Sequence, residues 1–307
     1  MLARKLLLAA ADSERLERWF RNTRVAMIAV GRFMPGERLE DALDACRRLN
    51  TAGLSTVLSE LGEHVTNEAE AARARDHYMS AIDRIEALGV DAHISVKLTQ
   101  LGLEIADEMA FAALVDVAAH GERAAVEVWI DMESSAYTEA TLRIYGECRD
   151  QGVNPGICLQ SYLTRTAADL DELLPRNPTI RLVKGAYNEP QLAFRKKSDV
   201  DANYLHLARR LFDNTKETGI RHAFGTHDLT ILAQVESMAV DRGLTRKAYE
   251  VQMLYGVRRE AQQRLAEQGH AVRILVSYGE AWFPWYIRRL AERPANVLFV
   301  IKSALTR

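Results

Sequence analysis

The sequence predicts a (β/α)8 barrel preceded by a helical arm, and three observations carry that expectation. Short runs rich in Val, Ile and Leu recur from Gly53 to the last quarter of the chain, each followed by a stretch with helical periodicity. Glycines stand where several of those helices should stop, at positions 152, 219, 243 and 269. No Pro-rich or low-complexity linker interrupts the alternation. Strands alternating with helices describe a parallel sheet covered on its outer face, and eight of them close a barrel. The runner-up, an open doubly wound sheet, lacks the GxGxxG turn that should follow its first strand.

The chain opens on MLARKLLLAA, a basic pair and a short apolar run. Asp12, Glu14 and Arg15 follow at once, so the segment reads as an amphipathic helix, Leu6 to Phe20, and not as a secretory signal. Its Leu and Ala turns suit contact with a membrane surface, whereas no window reaches the roughly 20 apolar residues of a spanning helix. A further helix runs from Leu39 to Asn50 behind the turn signal Pro35-Gly36. Residues 1–50 form the arm on this reading and 51–307 the barrel.

The eight strands are expected in GLSTVLSELG from Gly53, DAHISVKLTQLG from Asp91, AVEVWIDMES from Ala125, GICLQSY from Gly156, IRLVKGAY from Ile180, RHAFGTHD from Arg221, YEVQMLYGV from Tyr249 and AVRILVSYGE from Ala271. Between them, helices are expected over Asn67 to Leu88, Asp107 to His120, Thr138 to Gln151, Ala167 to Leu174, Asp201 to Thr218, Leu229 to Arg242 and Arg258 to Gln268. The second of these places Met109, Phe111, Leu114, Val115 and Ala118 close to a 3.6-residue period.

Composition bounds the function. The chain is 48% hydrophobic and 27% charged, with a formal net charge of −2, so it lacks the basic field of a nucleic-acid-binding protein. Cys46, Cys148 and Cys158 are odd in number and form no metal-ligand spacing, which suits a reducing cytoplasm and no structural metal.

A barrel gathers the polar residues at its strand ends around one mouth. Here these are Glu60; Lys97, Thr99 and Gln100; Asp131 and Glu133; Gln160 and Tyr162; Arg181, Lys184 and Tyr187; Thr226, His227 and Asp228; Gln252 and Tyr255; Tyr278 and Glu280. Lys97 and Asp131 alone would also fit a buried ion pair. VKGAY, Val183 to Tyr187, sets an ammonium and a glycine past an apolar strand, where phosphate binds. With Thr226 and His227 on the next strand it suggests a cofactor pyrophosphate across strands five and six, against two ordinary βα turns. His227 has no second His at ligand spacing, so a metal is not expected.

Beyond the last strand lies WFPWYIRRLAER, Trp282 to Arg293. On a helix it carries adjacent guanidiniums at Arg288 and Arg289 beside aromatic surface. This reads as an anion clamp, because an Arg fork matches a carboxylate bidentately; the alternative is a solvated helix face with Glu292 as a salt-bridge partner. Following strand eight, the helix should lie over the barrel mouth.

DMES, LQSYL, RLVKGAY, FGTHD, LYGV and RRLAER, in this order, strongly resemble the proline dehydrogenases, flavin-dependent barrels found as small bacterial enzymes or as one domain of bifunctional proline utilisation proteins. The likeness runs from about Gly53 onward and fits the bacterial monofunctional enzymes best. It implies a distorted barrel holding FAD noncovalently, oxidising L-proline to 1-pyrroline-5-carboxylate and passing electrons to a membrane quinone, in the cytoplasm with peripheral contact at the membrane. Oligomeric state stays open. Carried over, Lys97, Arg288 and Arg289 hold the proline carboxylate, while Leu254, Tyr278 and Trp285 wall the ring. Asp131 and Arg181 are the catalytic pair. Met132, Gln160, Arg181, Val183, Lys184, Gly185, Ala186, Tyr187, Thr226 and His227 contact FAD, and Glu292 joins that side, pairing with an Arg as a latch. The family usually has Tyr where this chain has Trp285, so a hydroxyl at that point of the wall is either missing or supplied by neighbouring Tyr286, and hydroxyproline tolerance stays open.

Hydride transfer from the carbon beside the amine to flavin N5 demands alignment within about 3.5 Å more than a strong base. The amine must be neutral, and the surrounding cations favour that; Asp131 pulls the other way and is assigned to orientation. Arg181 would stabilise charge on the reduced flavin. A methylenetetrahydrofolate reductase barrel, an aldolase using Lys97 or Lys184, and a non-enzymatic scaffold are the competing readings.

Overall fold

The structure, a computed structural model, describes residues 14–23, 27, 28, 30–187, 189 and 191–292, with the side chains of 14–16, 19 and 288–292 outside that description. Two helices, α1 (Glu14–Asn22) and α2 (Leu39–Thr51), precede the alternating series. That series runs β1 (Ser55–Glu60), α3 (Glu68–Leu88), β2 (Ala92–Val96), α4 (Asp107–Arg123), β3 (Val128–Ile130), α5 (Ser135–Asp150), β4 (Gly156–Gln160), α6 (Thr166–Leu173). It continues with β5 (Ile180–Val183), α7 (Lys197–Thr218), β6 (Ala223–Gly225), α8 (Leu229–Asp241), β7 (Glu250–Leu254), α9 (Arg259–Glu267), β8 (Ala271–Tyr278) and α10 (Trp282–Glu292).

All eight strands are parallel and pair in chain order, β8 closing on β1 from Ser55 opposite Arg273 to Glu60 opposite Tyr278. Each strand falls inside the stretch expected for it. Helix ends follow the sequence chemistry: the Asn67 side chain accepts the Glu70 N–H at 3.0 Å to start α3, and Gly89 ends it at φ 59°, a conformation that costs a glycine nothing. Asp228 caps α8 by accepting from Thr230 and Ile231. Of the expected first helix, Leu6 to Phe20, residues 6–13 lie outside the described residues and the remainder falls in α1.

Strand side chains alternate between two environments. Outward-facing Leu58, Ile94, Val96, Ile130, Ile157, Leu182, Val251, Ile274 and Val276 pack under the helices in the main core. The inward set includes Val57, Trp129 and Ala223, with Leu275 packed against them. Inward positions nearer the strand starts, His93, Glu127, Glu250 and Arg273, are charged or polar, unlike the branched aliphatics that usually fill such barrels.

The placement of α2 and α10 departs from a plain barrel. Helix α2 packs against both β1 and β8, the outer position that the helix after β8 would otherwise take, and its Leu39, Ala42, Leu43, Ala45 and Cys46 belong to the main core. The boundary expected between residues 50 and 51 therefore falls at the end of a helix whose buried face is part of the barrel's shell. Helix α10 instead joins a separate small core. Its Trp282, Phe283, Tyr286 and Ile287 pack with Phe20, Val30, Met34 and Leu61, the last being the residue that leaves the C-terminal end of β1. Arg21 ties the two ends of the chain together by donating to the Glu280 carbonyl at 2.6 Å, and Glu37 accepts from both Arg21 and the Trp282 indole. The C-terminal helix thus sits at the mouth end, as expected.

Candidate active site

The centre of the mouth is a buried cluster built from alternate residues of neighbouring strands. Asp131, one step past β3, accepts from the Ser95 hydroxyl at 2.8 Å and from Arg181 on β5, while the Lys97 ammonium stands 3.4 Å from its other oxygen. Arg181 is 3% exposed. It also donates to Ser95 at 2.8 Å and to Gln252 Oε1 at 3.3 Å, with its guanidinium 5.1 Å from the centre of the Trp129 ring. Burial works to raise the Asp131 carboxyl, yet Arg181, Lys97 and Ser95 together hold it below the ordinary carboxylate range. It is therefore an anion at neutral pH. Arg181 meets Asp131 closely, while the Lys97 contact is long; the lysine is the cation of the pair with capacity left for a ligand carboxylate.

Beside this cluster, Gln160 donates to the Met132 carbonyl at 3.0 Å. That contact fixes the sense of the amide and turns Oε1 to a buried position with no hydrogen-bond partner. Such an orphan acceptor calls for an N–H from a bound molecule. The following loop supplies close backbone approach. Gly185 sits at φ 109° with the Tyr162 ring so near that a Cβ would lie 2.1 Å from it, so only glycine fits. Val183, Lys184 and Tyr187 are half-buried and Ala186 exposed. Thr226 accepts the Asp228 N–H at 3.1 Å, and His227 Nε2 accepts the Leu254 N–H at 2.8 Å, which makes that nitrogen unprotonated. Together these groups set an unmet acceptor and a close backbone approach along the ends of β4 to β7.

Three expectations are modified. Tyr278 does not wall the mouth. It shares the outward alternation of Ile274 and Val276, is 1% exposed, and bonds His77 Nε2 on α3 at 2.8 Å. The inward face of that strand carries Arg273, Leu275 and Ser277. The Lys184 ammonium is engaged, with Asp201 at 2.6 Å and Asp228 at 3.2 Å, and Lys197 completes a cluster of two cations and two anions. A phosphate would have to compete with both carboxylates. Tyr286 packs edge-on against Phe20 and toward Phe33 in the arm, so it does not replace a hydroxyl at position 285; Trp285 lies half-buried on the same small core. Arg288, Arg289 and Glu292 are on α10, but their side chains lie outside the described residues.

In the sequence Ser95 and Trp129 pass unmarked and Gln252 has only a place in the polar ring with no role of its own, although a signal existed. Ser95 and Lys97, Trp129 and Asp131, and Gln252 and Leu254 are each two residues apart, the spacing that puts neighbours on one face of a strand.

Residues 42–302 match the family described as proline dehydrogenase. The chain belongs to the proline dehydrogenase family. It is 36% identical over 305 residues to proline dehydrogenase 2 of Bacillus subtilis (strain 168), covering 99% of both chains. It is 33% identical over 312 residues to the proline dehydrogenase of Deinococcus radiodurans, covering 99% of this chain and 98% of that one. Among solved structures, proline utilization A from Bdellovibrio bacteriovorus inactivated by N-propargylglycine superposes with a TM-score of 0.81 at 25% identity. That match covers 87% of this chain and 33% of the larger protein. Proline dehydrogenases are oxidoreductases of proline catabolism, and the barrel mouth is where such a protein places its chemistry.

Proposed function

We propose that this protein oxidises L-proline to 1-pyrroline-5-carboxylate at the barrel mouth with FAD as cofactor, and that the electrons leave to a quinone. The observation that carries this reading is the buried Lys97–Asp131–Arg181 cluster standing beside the orphan acceptor of Gln160. Gln160, Val183 to Tyr187, Thr226 and His227 would hold FAD, with Met132 alongside. When bound, FAD supplies the hydride acceptor at N5.

The chain's own residues do the rest. Lys97 takes one carboxylate oxygen of proline, and Arg288 and Arg289 on α10 supply the remaining cations of the carboxylate clamp. Leu254 and Trp285 wall the ring. Asp131, held anionic, keeps the Lys97 ammonium aimed and balances the cations around the substrate. The three cations disfavour protonation of the proline amine, whose lone pair must be free as the C–H bond is broken. Arg181, fixed by Ser95, Asp131 and Gln252, contributes positive potential where negative charge builds up on the cofactor. Helix α10 and the arm exclude water above the site. Among the described residues no helix is long and apolar enough to cross a membrane, so a quinone would be met from the membrane surface.

An anaerobic absorbance spectrum tests this directly. The purified protein should be yellow, and L-proline should bleach the flavin band while NADH should not. A flavin-free preparation that turns over proline, or a flavin indifferent to proline, overturns the proposal.

A further inference from the structure

Beneath Arg181 the inward faces of β7 and β8 carry a buried relay that reaches from the barrel floor to the site. Gln252 Nε2 donates to Glu250 Oε1 at 2.7 Å, and Gln252 Oε1 accepts from Arg181 at 3.3 Å. Glu250 is held in turn by Arg273 Nε at 2.9 Å and by Arg221 at 3.0 Å, and Arg273 also donates to the Thr56 carbonyl at 2.7 Å. Glu250, Gln252, Arg273 and Arg181 are each 3% or 4% exposed.

We propose that Glu250 is a positioning residue for proline oxidation: it sets the sense of the Gln252 amide, whose oxygen then holds Arg181 in place against Asp131. The argument is one of polarity. A carboxylate only accepts hydrogen bonds and a guanidinium only donates them, so an amide between the two satisfies both in one orientation and neither in the other. With the carboxylate below, the amide nitrogen must point down and its oxygen up. Reversal would press an amide N–H against the guanidinium and a carbonyl against the carboxylate, both buried. Glu250 can impose this because Arg273, which shares Oε1 with Gln252, and Arg221 on Oε2 neutralise it and hold it as a carboxylate acceptor. Arg181 thereby gains a third fixed partner besides Ser95 and Asp131, and loses the freedom to turn from the mouth toward the floor.

This inference rests on the placement of Arg181 at the cofactor proposed above, and the test separates the two. In the holoenzyme, Glu250→Gln leaves position 250 able to present either end of an amide, so only the long contact to Arg181 still favours one sense of Gln252. The rate of flavin reduction by proline in anaerobic stopped flow should fall about tenfold or more, the loss expected of a misplaced group near the reacting atoms. The proline concentration for half-maximal rate should be nearly unchanged, and the flavin potential should become more negative. The charge-conserving swap Glu250→Gln with Gln252→Glu again sets an acceptor under Arg181 and should recover most of the rate. Asp213→Ala removes the outer ion pair to Arg242, 2.7 Å, which touches no member of the relay, and should leave rate and potential as in the parent. Should Glu250→Gln fail to fold, Gln252→Met reads the coupling from the other end and should show the same loss of rate and potential. A Glu250→Gln or Gln252→Met protein with parental rate and potential overturns the relay, as does a rate lost in Asp213→Ala to the same degree. A parent protein that proline does not reduce would instead overturn the site reading itself.

Discussion

The two ends of the barrel interior hold the same kinds of residue at similar burial and differ in how completely their hydrogen bonds close. At the floor, Glu250 accepts from Arg273, Arg221 and Gln252, and the Trp129 indole finds His93 at 3.1 Å. At the mouth, Gln160 keeps an unmet acceptor and Lys97 only a long contact to Asp131. A buried charge is thus no mark of function by itself. The unmet acceptor of Gln160 takes its meaning from its place at the strand ends, since the Tyr145 and Thr215 hydroxyls on α5 and α7 are also buried without a partner.

Substitutions that exploit this difference should separate stability from activity. The largest effect is expected at the floor. Glu250→Leu strands Arg273 without its buried partner and should destabilise the fold by about 3–5 kcal/mol, measured by urea denaturation. A loss below about 1 kcal/mol would mean that the floor network is solvated and not structural. At the mouth, Arg288→Lys should raise the Michaelis constant for proline about 100-fold, since a point charge cannot reproduce the guanidinium fork, with little change in unfolding midpoint. Steady-state kinetics with an unchanged constant would remove Arg288 from the clamp. Gln160→Met should weaken FAD retention about tenfold in a dilution assay by removing the waiting acceptor, again without loss of stability.

The smallest effect concerns pH and compares one carboxyl from each end. Burial pushes Glu60 at the mouth end up to about 7, with Lys97 opposing, and Glu127 near the floor likewise to about 7, where Glu250 adds repulsion. A folded-state value above the ordinary 4.5 means that the folded protein binds the extra proton between pH 4.5 and about 7. Stability then falls as pH rises through that window and is level beyond it. Glu60→Gln should reduce this slope by about 1 kcal/mol across the window once partial exposure is discounted, and Glu127→Gln should remove a similar share. Thermal melts at pH 5 and pH 7.5 that shift equally for parent and both variants would contradict these assignments.

The fold was legible because strand runs and helix stops repeat along the chain with little ambiguity. Gly152, Gly219, Gly243 and Gly269 all take the left-handed conformation expected of a helix-ending glycine. The ring of polar strand ends led to Lys97, Asp131 and Arg181 because side chains at the ends of parallel strands must converge. What remained hidden depends on alternation. Ser277 and Tyr278 are adjacent and both polar, and only the register of β8 against β1 decides which faces inward. Lys184 reads as a free ammonium until α7 brings Asp201 to it from 17 residues away. The floor network was readable in principle: Glu250 and Arg273 each lie two residues before an inward residue. A sequence read for strand ends alone passes over strand beginnings.

The exchange of places between α2 and α10 has a practical consequence. Because α2 fills the outer groove beside β8 and β1, the C-terminal helix takes no share in closing the barrel's shell. A change at half-buried Trp285 therefore costs less folding stability than one at Trp282, Phe283, Tyr286 or Ile287, each 0% or 1% exposed in the small core that anchors the helix. Libraries that recast the enzyme for a different cyclic amino acid should find their tolerated diversity at position 285, where altered recognition is least entangled with an altered fold.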